Sequence, residues 1–119
     1  MFSWDSVAWA AGSTSNTYAL GTYGDIDFTF AEQGTFAANA TYGGAMPALS
    51  SVITGGDPAN GNSLVFNVDR STNAQSGTLT IALPSVFPGA QFTLFDIDAN
   101  SGHQDAVEVY GLIDGVRVD

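Results

Sequence analysis

The chain contains no cysteine and no lysine. The first absence removes disulfides, thiolate metal sites and a cysteine nucleophile. It also argues against a small animal domain held together by disulfides. The second removes Schiff-base chemistry and any lysine–asparagine isopeptide cross-link. Cations of any kind are scarce: Arg70 and Arg117 stand against twelve acids, for a net charge of −10. A nucleic-acid partner is excluded on that ground, because binding there requires cations that displace phosphate counterions. Anionic membranes repel the chain for the same reason. No apolar run is long enough to span a bilayer as a helix, so membrane insertion by that route is excluded too. Charged residues of both signs make up only 12% of the chain, about half the roughly 25% of an ordinary soluble domain. The surface is therefore built from serine, threonine, asparagine, glutamine and glycine.

What is present is a chain of 119 residues that is 45% hydrophobic and 12% aromatic. Such a chain buries a real core and is expected to form one domain over residues 1–119. Its apolar residues alternate with a period of two. Ile26, Phe28 and Phe30 share one face of a strand, as do Leu64, Phe66 and Val68, and as do Leu79, Ile81 and Leu83. Further strands are expected over 92–97 and over 106–113, the latter with Val107 and Val109 on one face and Tyr110 and Leu112 on the other. Weaker strand patterns cover 7–10, 18–22 and 35–42, and 45–53 reads as a short helical turn. Turn chemistry is dense between these runs, at Gly43-Gly44, 55–62, 72–77 and 84–89. Many short strands with frequent turns predict an all-β, antiparallel β-sandwich, with a jelly roll as one such arrangement.

Leu112-Ile113-Asp114-Gly115-Val116-Arg117-Val118 predicts a two-residue Asp-Gly hairpin. Its outgoing strand is about twice as long as its return, so the domain is expected to be truncated here and to continue beyond Asp119 in the natural protein. The start, Met1-Phe2-Ser3-Trp4-Asp5, carries no secretory leader pattern, in keeping with a domain cut from a longer protein. The unfinished hairpin also presents an edge strand that a complementary segment can pair with.

Chemistry-bearing residues gather in one stretch, 96–105. Asp96, Asp98 and Asn100 hold alternate positions and Gly102 follows, with Asp105 on the far side of the loop. Oxygen ligands at alternate positions before a glycine suit a hard cation, because the ligands converge while the chain curls around it. This is no EF-hand: the glycine falls one place late and Val107 stands where that loop needs a glutamate. The alternative is that these side chains cap the loop by accepting backbone N–H bonds. A calcium site and a capped loop are both open on the sequence alone. Asp25 and Asp27 offer a weaker second site, or simply solvated carboxylates.

The segment Phe92-Thr93-Leu94-Phe95-Asp96-Ile97-Asp98, followed by Gln104-Asp105-Ala106-Val107-Glu108-Val109-Tyr110-Gly111, resembles a module of large exported bacterial surface and adhesin-like proteins. The resemblance covers about a fifth of the chain. It implies a β-sandwich, export and no catalysis, and names no ligand. Together with the composition it leads to an expected non-catalytic module, secreted or at the cell surface, stabilised by calcium and taking a glycan or protein ligand.

An enzyme is not expected. The single histidine, His103, has no Gly-x-Ser-x-Gly elbow to work with, and zinc chemistry lacks the histidines and cysteines it needs. No phosphate-binding loop or dinucleotide fingerprint occurs. A carbohydrate-binding module is the competing reading. It would stack sugars on exposed rings, with Trp4, Trp9, Tyr18, Tyr23, Tyr42 and Tyr110 as candidates, although aromatic residues in strands more often pack a core.

Overall fold

The structure, a computed structural model, describes residues 2–52, 61–69, 71–72, 74–84, 89–97 and 104–118. Over these residues the chain is all-β, with antiparallel pairing throughout and short 3₁₀ turns in place of α-helix. The strands are β1 (Ser15–Ala19), β2 (Asp25–Glu32), β3 (Thr35–Phe36), β4 (Ala48–Ser50), β5 (Ser63–Val65), β6 (Val68–Asp69), β7 (Gly77–Ala82), β8 (Gly111–Ile113) and β9 (Val116–Val118). The largest sheet has the order β1-β2-β7, and β3-β6, β4-β5 and β8-β9 form two-stranded ladders.

The central strand β2 follows from its alternation. Ile26, Phe28 and Phe30 are buried, while Asp25, Asp27 and Thr29 face water. The register carries this pattern across the sheet: Tyr18 lies opposite Ile26, Ile81 opposite Phe28, and Leu79 opposite Phe30. The outer face is left to Thr17, Asp27, Thr29, Thr78 and Thr80. β1 reaches β2 through a 3₁₀ turn at Gly21–Tyr23, closed by the Leu20 N–H donating to the Gly24 carbonyl at 2.8 Å. Gly24, at φ 94°, takes a backbone angle that a side chain would strain.

The inner face is covered by the N-terminal segment and by the short ladders. Phe2 and Trp4 lie 5.5 and 5.0 Å from Phe28, centroid to centroid, and Trp9 lies 5.9 Å from Phe30. Phe36 and Phe66 reach Phe30 from the other side. These edge-to-face and tilted pairs add to what area burial alone provides. The buried indole of Trp9 donates to the Ser13 carbonyl. Asp5 fastens the N-terminal segment to the loop before β5, accepting from the Gly61 N–H at 3.2 Å and from the Asn62 amide at 3.0 Å. A Cβ at Gly61 would lie 2.7 Å from the Asp5 Cγ, so a side chain there would displace the Asp5 carboxylate from these bonds. At the opposite end Gln33 and Gln75 tie two turns together: Gln75 donates to the Gln33 carbonyl, and Gln33 accepts from the Ser76 N–H.

Several expected elements differ. The run 64–68 is two strands, because the chain changes partner at Phe66-Asn67, pairing first with β4 and then with β3. Residues 45–53 carry the strand β4 where a helical turn was expected, because Ala48–Ser50 finds a ladder partner in β5. Residues 7–10 form no strand; the Ala8 carbonyl instead accepts from the Tyr18 hydroxyl and the Asn16 amide, which ties this segment to side chains of β1. Residues 18–22 and 35–42 are strand only in part, each giving way to a 3₁₀ turn. Residues 92–97 have no ladder, and the long strand expected over 106–113 is confined to β8. A strand needs a partner, and the described residues provide none for 92–97 or 106–110. The expected loop at 55–62 lies outside the described residues except for Gly61 and Asn62. The loop at 84–89 is described only at its two ends.

Candidate functional site

Asp96 is exposed and adopts a left-handed backbone, φ 58°. Aspartate tolerates that conformation better than most residues. Asp105, also exposed, stands on the far side of the loop. Asp98, Asn100 and His103 lie outside the described residues. Among the described residues no three acidic or histidine side chains converge on a point that could hold a metal. Among the described residues Asp25 and Asp27 belong to no such cluster. The Asp27 carboxylate accepts from the Thr17 hydroxyl at 2.6 Å on the outer face of the sheet, and Asp25 is exposed at the start of β2.

The aromatic candidates divide sharply. Trp9 is buried, and Trp4 and Tyr18 pack with it against Phe28. These rings belong to the core and present no platform. Burial raises the Tyr18 hydroxyl above its ordinary acidity range, partly offset by the hydrogen bond from Asn16. Tyr42 is half-buried, and Tyr23 is exposed in the turn between β1 and β2. Tyr110 is exposed too, with the Arg117 guanidinium 4.5 Å above its ring. Every buried side-chain polar atom among the described residues has a hydrogen-bond partner, so no orphaned group points into a cavity there.

The most unusual surface is the C-terminal hairpin. Asp114 and Gly115 both have positive φ, 50° and 77°, as the expected two-residue turn requires. The register sets Gly111 opposite Val118, Leu112 opposite Arg117, and Ile113 opposite Val116. One face is therefore amphipathic: Arg117 pairs with Glu108 at 2.7 Å and stacks on Tyr110. The other face is aliphatic, formed by Ile113, Val116 and Val118, with Val107 and Val109 continuing the alternation upstream. It is bare. Ile113 is 63% exposed and Val116 66%, and among the described residues β8 and β9 pair only with each other. The sequence reading treated this hairpin as an open edge and missed its face. The signal was the aliphatic alternation on both sides of Asp114-Gly115.

No protein-family model, no curated protein and no solved structure matches this chain.

Proposed function

We propose that this chain is a non-catalytic structural or adhesive module of an exported protein, secreted or held at the cell surface. It engages another polypeptide segment through the aliphatic face of its C-terminal hairpin. The observation that carries the reading is the exposure of Ile113 and Val116 on a hairpin whose other face carries the Arg117–Glu108 pair and the Arg117–Tyr110 stack. Contiguous exposed aliphatic surface on an otherwise polar chain marks a protein-contact site. The low charge content and the net charge of −10 suit a surface outside the cell and argue against nucleic acid. A glycan platform draws less support, because Trp4, Trp9 and Tyr18 pack in the core.

The test uses the dilute chain and the dye anilinonaphthalene sulfonate. Dye fluorescence should rise on the chain and fall on the double variant Ile113→Glu, Val116→Glu. A chain that binds no dye, with hairpin amides protected from exchange at high dilution, would mean that the face is covered from within, and the docking reading would fail.

Calcium is the second reading, favoured by the left-handed turn of Asp96 at the head of the one-three-five spacing. An ion held by Asp96, Asp98, Asn100 and Asp105 would neutralise carboxylates that have few cations to pair with. Binding to the folded state alone stabilises by about 2.7 kcal/mol at a hundredfold excess over the dissociation constant. Thermal unfolding should then shift upward with calcium and not with magnesium, and the shift should vanish in Asp98→Ala. Equal melting in calcium and in a chelator would remove the metal from the account.

A further inference from the structure

The aliphatic face of the hairpin is set among negative charges. From Gln104 to Asp119 the sequence carries four acids, Asp105, Glu108, Asp114 and Asp119, and one base, Arg117. That base belongs to the opposite face, where Glu108 at 2.7 Å and the Tyr110 ring engage it. Asp114 stands in the turn that joins Ile113 to Val116, is exposed, and has no ionic or hydrogen-bond partner among the described residues. A partner laid over Ile113 and Val116 therefore takes water from Asp114 as well. A carboxylate drawn out of water needs a cation or hydrogen-bond donors in exchange. The chain has little of that kind to offer: it has no lysine, and Arg70 is its one base besides Arg117. A second copy would bring a net charge of −10 against an equal one.

Resting on the docking reading above, we infer that the occupant of the hairpin face is a cationic, amphipathic segment of a different polypeptide. Its aliphatic side chains cover Ile113, Val116 and Val118, and a lysine or arginine meets Asp114. The two parts of the contact do different things. Aliphatic burial holds the complex together, because an exposed ion pair adds little affinity. Charge selects the partner: it speeds the encounter with a basic segment and opposes an acidic one.

The probes are labelled synthetic peptides of one length, alternating valine with lysine, valine with glutamate, and serine with lysine, read by fluorescence anisotropy on the full chain. The valine–lysine peptide should bind and the valine–glutamate peptide should not. Ile113→Ser with Val116→Ser should weaken the valine–lysine peptide by about tenfold or more and leave the serine–lysine peptide unchanged. Asp114→Asn, which keeps the left-handed turn, should weaken the valine–lysine peptide about two- to fivefold, the worth of one exposed ion pair. Raising salt from about 0.01 M to about 1 M shortens the Debye length from about 30 Å to about 3 Å and should slow association more than it speeds dissociation. Equal binding of the valine–lysine and valine–glutamate peptides would overturn the cationic partner and leave the docking reading standing. So would a stable dimer in light scattering that the valine–lysine peptide does not dissociate. Lysine peptides that bind the parent and the double serine variant alike would place their contact elsewhere on the acidic surface and overturn the inference. A monomer that binds neither the dye nor any peptide would overturn both readings.

Discussion

The strand β2 and the C-terminal hairpin are written in the same alternating pattern, yet they end in opposite environments. Ile26, Phe28 and Phe30 are 6%, 3% and 6% exposed, whereas Val109, Ile113 and Val116 are 60%, 63% and 66% exposed. Each residue in the first group has cross-strand neighbours in β1 or β7, and rings from Phe2, Trp4 or Trp9 lie against Phe28 and Phe30. Among the described residues Ile113 and Val116 have cross-strand neighbours only in their own hairpin, and Val109 has none. An alternating apolar pattern therefore specifies a strand with one dry face; it does not specify what keeps that face dry. Burying an aliphatic side chain of this size is worth about 1.5–3 kcal/mol. Three such residues left in water amount to several kcal/mol withheld from folding, a large share of the roughly 5–15 kcal/mol that holds a domain together. A lone two-stranded hairpin is at best marginal in water, so the two regions should also differ in how readily they open.

The strongest way to break this comparison is to cut one residue from each region. Phe28→Ala removes a ring in contact with Phe2, Trp4, Trp9 and Tyr18. It should cost about 3–5 kcal/mol of stability in urea unfolding of the dilute chain. Ile113→Ala, in the same dilute chain, should fall within about 0.5 kcal/mol of the parent. Hydrogen exchange gives the same contrast without substitution, with slow amides in β2 and fast ones in β8 and β9. If Ile113→Ala proves as costly as a core substitution, the hairpin face is packed in solution and the contrast between the two regions disappears.

How far this could be read in advance depended on whether a signal was local. The burial of Ile26, Phe28 and Phe30 and the outward Asp27 followed from period two alone, and so did the strand read over 78–83, although it ends at Ala82 and leaves Leu83 40% exposed. The Asp114-Gly115 turn was legible because few residues adopt left-handed angles in succession. Partner choice was not legible. Nothing in the run from Leu64 to Val68 says that it leaves β4 for β3 at Phe66-Asn67, because both ladders accept the same alternation. The short β4 was mistaken for a helical turn for the same reason: three residues, Ala48–Ser50, carry too little periodicity to separate the two. The carboxylates of the acidic loop were visible as a spacing, and Asp96 does take a left-handed backbone angle. Whether carboxylates converge on an ion is a matter of loop geometry, which spacing does not encode. The clamp of Asp5 on Gly61 and Asn62 was invisible for a further reason, since it joins residues far apart in sequence.

A smaller effect sharpens the contrast through pH. Tyr18 sits where β1 meets the core, its hydroxyl donating to the Ala8 carbonyl at 2.7 Å and accepting from the Asn16 amide at 3.0 Å. Burial raises its pKa above the ordinary phenol value, with the Asn16 bond pulling the other way. The neutral phenol is therefore the form that the folded chain favours. Its contribution is fully present below the ordinary value of about 10 and is lost as pH rises through the higher value of the folded state, because the unfolded chain ionises first. Urea unfolding from neutral to strongly alkaline pH should show stability falling in that window. Tyr18→Phe should lose about 1 kcal/mol at neutral pH, the usual worth of such a hydrogen bond. The variant should then lose less than the parent as pH rises, since the ionising group is gone while every other tyrosine remains. If parent and variant decline in parallel, the alkaline sensitivity lies elsewhere and Tyr18 is not its source.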